Sequence, residues 1–143
     1  MIKEAYKYVE IKKDERFVFQ SEGPQGLIIK IVQFTFAGND VWNLGFGDFK
    51  KGNIDDSIMT NNHDTMRVIR TVANIAYAFL SRHPETTIRI RPVDEKRKKL
   101  YNLVFQRYFK EIEPIFDVRG WINQQEETYS PEKYYELFEL KFK

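Results

Sequence analysis

Between Asn61 and Pro84 the chain reads NNHDTMRVIRTVANIAYAFLSRHP, and no other stretch limits the fold as tightly. Apolar residues at Met66, Ile69, Val72, Ala73, Ala76, Phe79 and Leu80 recur three and four apart, so one helix would carry them on one face. Val68 and Ile75 widen that stripe. Arg67, Arg70, Asn74 and Ser81 fall opposite, the pattern of a helix lying on a sheet with its back in water. Asn61 or Asn62 is placed to cap the start, Asp64 complements the positive end of the dipole, and Pro84 stops the helix.

The remainder supplies strands for that helix to cover. Arg16–Ser21 alternates Phe17 and Phe19 with Val18 and Gln20, and Tyr6–Glu10 offers a short strand ahead of it. Glu22-Gly23-Pro24-Gln25-Gly26 has the chemistry of a reversal. Leu27–Phe36 is apolar on both faces and reads as central, and Val41–Phe49 follows, interrupted by Gly45 and Gly47. The segment from Lys50 to Thr60 reads as a loop. Thr86–Arg91 is a short strand, and Asp94 caps a second helix running to about Lys110 with Leu100, Leu103, Val104, Phe105, Tyr108 and Phe109 as its stripe. Ile115–Ile122 and Tyr134–Phe142 close the chain as strands, with Asn123–Lys133 as a polar loop between them. The expected class is α+β, a mixed, mainly antiparallel sheet with two helices in the order β-β-β-α-β-α-β-β, forming a single domain over residues 1–143. The alternating last strand would offer an edge through which two copies pair as a homodimer.

Cysteine is absent, which removes disulfides, thiolate metal sites and a cysteine nucleophile. The first residues alternate charge with apolar side chains and resemble neither a signal peptide nor a membrane span, so a cytoplasmic protein without a membrane partner is expected. The net charge of +2 is unevenly placed. Residues 1–64 carry 8 basic and 10 acidic side chains, residues 65–112 carry 11 and 4, and residues 113–143 carry 4 and 7. The basic excess therefore sits in the middle third, where it can attract an anion.

The stretches RFVFQSEGPQG (Arg16–Gly26), NLGFGD (Asn43–Asp48), Asp55-Asp56, TNNHD (Thr60–Asp64), Thr71-Val72-Ala73 and Leu100-Tyr101, together with the closing strands, resemble a family of small bacterial proteins of unknown function. That resemblance implies one α+β domain and no particular activity. The element order also resembles the later part of the GNAT acetyltransferase fold, in which a glycine-rich loop wraps the coenzyme A pyrophosphate. On that likeness Gly45, Phe46 and Gly47 would match the splayed strand beside the cofactor, and Tyr101 would match a tyrosine that protonates the departing thiolate. The loop itself, GNIDDSIMTNNHD, holds one glycine and three acidic residues and would repel a pyrophosphate.

Asp48, Asp55, Asp56, His63 and Asp64 are residue types that bind hard metals or move protons, but their spacing matches no metal motif, and they read as loop and helix-start charges. Arg89 and Arg91 with Lys96, Arg97 and Lys99 form the candidate anion site, because clustered cations release counterions on meeting a polyanion. No P-loop, Gly-x-Ser-x-Gly elbow or His-Glu-x-x-His pattern occurs. The expectation is a binding domain with no cofactor, no metal and no recognisable active site. Nucleic acid is disfavoured as a partner. A divergent acyltransferase and an anion binder are the alternatives.

Overall fold

The computed structural model describes residues 2–50, 53–55 and 62–143, the three residues 53–55 through their backbone. The chain divides into two units, Met1–Thr35 with Leu44–Phe79, and Phe36–Asn43 with Leu80–Lys143. Among the described residues there are two helices and nine strands, and the class is α+β with a mixed, mainly antiparallel sheet, as expected. None of the described helices is long and apolar enough to cross a membrane.

In the first unit the strands are ordered β1 (Val9–Lys12), β2 (Arg16–Gly23), β3 (Gly26–Phe36) and β4 (Val41–Lys50), with β5 (Asn53–Asp55) against the end of β4; Phe36 of β3 and Val41–Asn43 of β4 belong to the second unit. The turn at Pro24-Gln25 closes β2 onto β3 in unbroken antiparallel register from Gly23↔Gly26 to Arg16↔Gln33. Side chains alternate across extended backbone, so Phe17, Phe19 and Ser21 share a face with Ile28, Lys30, Val32 and Phe34. Helix α1 (Thr65–Arg82) covers that face, where Phe79 stacks on Phe34 at 4.2 Å between ring centroids and Phe17 meets Phe34 edge-on. Burying an aromatic side chain of this kind stabilises by roughly 1.5–3 kcal/mol. Lys30, Ile31 and Val32 are all buried, which bears out a central β3.

The structure corrects the organising helix in three respects. It starts at Thr65, because Asn62 turns its side chain back to the β2–β3 turn instead of capping; Asn61 lies outside the described residues. Its buried face runs through Val68, Thr71, Ile75, Ala76 and Phe79, leaving Met66 exposed and Val72 only half-buried. Its polar side is not all in water either. Asn74 is buried, its amide pairing with both backbone groups of Ile2 at 2.9 Å, so the N-terminal segment lies across that side. The same detour explains why the first strand begins at Val9 and not at Tyr6.

In the second unit β6 (Thr87–Ile90) runs parallel to the first residues of β4, with Val41↔Thr87, Trp42↔Ile88 and Asn43↔Arg89 in register. Beyond it come β9 (Leu137–Phe142), β7 (Phe116–Ile122) and β8 (Gln125–Thr128), each antiparallel to its neighbour. The last strand is therefore interior, between β6 and β7, and offers no free edge for a second copy. The stretch read as a polar loop contains β8, joined to β7 through Asn123 and Gln124, both at positive φ (53° and 65°). That is a tight hairpin turn made without glycine, and its polar strand carried no alternating signal. Strand β5 is likewise a departure, since the span from Lys50 to Thr60 read as loop throughout, and three residues are too few to show a period.

Helix α2 (Glu95–Ile112) is capped as expected, the Asp94 carboxylate accepting from the Arg97 backbone N–H at 2.8 Å. Its buried residues are Asn102, Phe105, Tyr108 and Ile112, with Phe105 stacked on Phe138 at 4.2 Å, while Leu100 and Leu103 are exposed. Asn102 acts as a substitute backbone: Oδ1 accepts from the Tyr135 N–H at 2.8 Å and Nδ2 donates to the Tyr135 carbonyl at 2.9 Å. The Tyr135 ring lies over Gly120, where an added Cβ would sit 2.2 Å from it.

Candidate functional site

The first unit gathers residues far apart in sequence around Asp64, which directly precedes α1. One oxygen of its carboxylate, Oδ2, accepts from the Tyr6 hydroxyl and from the Ser21 hydroxyl, both at 2.6 Å. The Tyr6 oxygen in turn accepts from the Glu22 backbone N–H at 2.9 Å, and the Tyr6 N–H donates to Thr71 Oγ1 at 2.7 Å. Burial first, and then the hydrogen bond to Asp64, push the Tyr6 phenol above its ordinary range, so it stays a proton donor. Asn62 fixes the hairpin: Oδ1 accepts from the Gln25 N–H at 2.7 Å, and Nδ2 donates to the Gly26 carbonyl at 2.9 Å. Gly23 permits this approach, since a Cβ there would lie 2.0 Å from the Asn62 carbonyl oxygen.

Beside this network lies a cleft of about 570 Å³, between the segment Ala5–Lys7 and β2. Tyr6, Phe19, Val18 and Ile29 line its apolar part, and Lys7, Gln20, Glu22 and Arg67 its polar part. The Arg67 guanidinium carbon lies over the Tyr6 ring, 3.9 Å from its centroid, a contact of the kind a π-face gives a cation. Among the described residues no carboxylate forms an ion pair with Arg67 or Lys7. On the strand face of Phe19 and Ser21, Lys30 forms a fully buried ion pair with Asp48 at 2.5 Å.

The expected site residues fall in separate places. Asp48 serves Lys30 and Asp64 serves Tyr6 and Ser21, His63 is exposed at a φ of 60°, and Asp56 lies outside the described residues. Asp55 is in β5, its backbone in register with Asp48. Among the described residues no three His, Cys, Asp or Glu side chains gather in a metal-binding group. Gly45 and Gly47 lie in β4, which runs through them unbroken, and Phe46 stacks on Phe19 at 6.4 Å. Tyr101 is half-buried on α2 in the second unit.

Of the basic run, Arg89 is engaged by Glu139, with Nε and Nη2 at 2.9 and 2.7 Å from one oxygen. Arg97 pairs with Asp94 at 2.9 Å. Arg91, Lys96 and Lys99 are exposed.

Sequence reasoning did not single out Tyr6, Gln20, Ser21 or Arg67. Arg67 looked like a solvent-facing charge on the helix back, and Tyr6 like the start of a strand. The signal that could have found them is the pairing of SEGPQG with NNHD. Both are turn-forming stretches rich in side chains that hydrogen-bond backbone, and here each satisfies the other. No curated protein and no solved structure matches the chain. A family match does cover residues 2–143, nearly the whole sequence, so the chain belongs to a family of unknown function, DUF6934.

Proposed function

We propose that the protein is a binding domain whose recognition site is the cleft of the first unit, and that its ligand joins an anionic group to an apolar body. The observation that carries this reading is Arg67. A guanidinium lying on the Tyr6 ring, with no ion-pair partner among the described residues, keeps its N–H edges available for a carboxylate or phosphate. The wall behind it is held before any ligand arrives, because Tyr6 is fixed by Asp64, Glu22 and Thr71, which lowers the ordering cost of binding. A volume near 570 Å³ suits a small molecule. Catalysis finds less support: Ser21 is fully buried and donates to Asp64, and Tyr6 is held in its protonated form.

A thermal-shift panel of small carboxylates and phosphates tests this. At a concentration of 100 times Kd, a ligand should stabilise the wild type by about 2.7 kcal/mol. Arg67→Ala should respond to none of the same compounds, and Arg91→Ala should respond as the wild type does. Equal responses in Arg67→Ala and wild type would contradict the assignment.

A second reading, the GNAT-like acyltransferase, draws support from element order and from the parallel register of β4 and β6, which spans only three residue pairs. Calorimetry with acetyl-CoA should show no binding, given the acidic residues Asp55, Asp56 and Asp64 around the pyrophosphate's place. A micromolar Kd, about −8 kcal/mol, would instead make Tyr101→Phe the variant to assay. The anion-binding reading at Arg91, Lys96 and Lys99 loses two of its five cations to the Glu139 and Asp94 pairs. Filter binding near physiological salt is expected to retain no nucleic acid. The family match over residues 2–143 supports treating the chain as one domain, and a chain without cysteine is compatible with a reducing compartment such as the cytoplasm.

A further inference from the structure

The cleft borders a stretch of β2 whose backbone is left without a neighbouring strand. The β1–β2 register ends at Val9↔Val18, and the chain before Val9 leaves β2 to reach α1 through Tyr6. In an antiparallel ladder, alternate residues direct both N–H and C=O to the same side. Glu22 directs its N–H and C=O to the Tyr6 hydroxyl, on the side of β2 away from β3, and the β2–β3 register runs without a bulge from Glu22 to Val18. Gln20, two residues along, therefore directs its own N–H and C=O to that side, and Gln20 lines the cleft. Among the described residues no backbone hydrogen bond meets Gln20 there. A free N–H and C=O on one residue match the C=O and N–H of one facing residue, and in a C-terminal or N-acylated residue that C=O is a carboxylate oxygen.

Resting on the ligand-binding reading above, we infer that the cleft recognises an amide next to a carboxylate: an N-acylated amino acid or the C-terminal residue of a peptide. The amide N–H donates to the Gln20 carbonyl and one carboxylate oxygen accepts from the Gln20 N–H, as the N–H and C=O of an added strand residue do. The other carboxylate oxygen meets Arg67 and Lys7, and an apolar side chain lies against Val18 and Ile29. Glu22 is the opposing charge on the rim. With Lys7 and Arg67 against it, the lining keeps one net positive charge, enough for one carboxylate and poorly suited to a second.

Calorimetry with four compounds tests the inference. N-acetyl-leucine should bind about tenfold more tightly than 4-methylpentanoate, which keeps the carboxylate and the branched body and lacks the amide. N-acetyl-leucine amide, without the charge, should be weaker than N-acetyl-leucine by about tenfold to a hundredfold. An acetylated tripeptide ending in leucine separates the two sources: equal or tighter binding identifies a peptide terminus, and lost binding identifies the small N-acyl amino acid. Gln20→Ala keeps the backbone and should leave the affinity of N-acetyl-leucine within about twofold, whereas recognition through the Gln20 side chain would lose it. Gln20→Pro deletes the outward N–H, which an edge position tolerates, and should weaken N-acetyl-leucine about tenfold in protein that still melts cooperatively. Equal affinity of N-acetyl-leucine and 4-methylpentanoate in the wild type would overturn the amide assignment while leaving the anion reading in place. Failure of all four compounds alongside binding of a phosphate in the panel would do the same, and failure of the whole panel would remove both.

Discussion

Tyr129 packs against Phe105, Phe109, Tyr135 and Phe138, and burial there, aided by the neighbouring Tyr135, pushes its phenol up to about 12. A raised pKa means that the folded chain holds the proton more tightly than the unfolded one. Stability is therefore unaffected below about pH 10 and falls as pH rises from there toward 12. Urea midpoints should therefore drop over that interval, and Tyr129→Phe should flatten the drop. An unchanged slope in the variant would assign the alkaline limb to another group. The Lys30–Asp48 pair tests a second residue-scale principle. Lys30→Met should be destabilising because it takes an ion-pair partner from the buried Asp48, while Lys30→Met with Asp48→Leu should recover part of that loss, both read from denaturant midpoints.

At the scale of elements, α1 shows what periodicity reveals and what it cannot. The stripe gave the helix and its approximate sheet-facing side, but the buried arc is rotated toward Val68, Thr71 and Ile75, because the N-terminal segment occupies part of the polar side. Ile75→Asp should prevent folding, since an unpaired carboxylate would be buried at a position with no exposure. Met66→Asp should stay within about 0.5 kcal/mol of wild type, because Met66 is exposed. In α2 the corresponding surprise is a buried asparagine. Asn102→Ala should cost about 1–3 kcal/mol for each Tyr135 backbone group left unpaired, whereas Leu103→Ala, on the exposed side, should leave the melting temperature nearly unchanged.

Across the whole molecule, strongly patterned elements were legible and weakly patterned ones were not. Phe17-Val18-Phe19, the apolar run of β3 and the Asp94 cap each announce their structure locally, because a short window holds the whole physical cause. The interior place of β9, the polar strand β8 and the cleft depend on partners distant in sequence: Tyr6 on Asp64, Asn62 on the hairpin, Asn102 on Tyr135. Side-chain hydrogen bonds of that range leave no period behind. The same limit explains why Arg67 read as a solvated charge, since its significance comes from the Tyr6 ring beneath it and not from its neighbours in the helix.

The most direct test is a nitrogen–proton correlation spectrum of labelled protein, titrated with the tightest compound from the panel. The account predicts that the largest shifts fall on Gln20, Phe19, Tyr6 and Arg67, all in the first unit, with Tyr101 and the Lys96–Lys99 region unmoved. Shifts centred on Tyr101, or on Arg91, Lys96 and Lys99, with Gln20 and Arg67 unchanged, would contradict it.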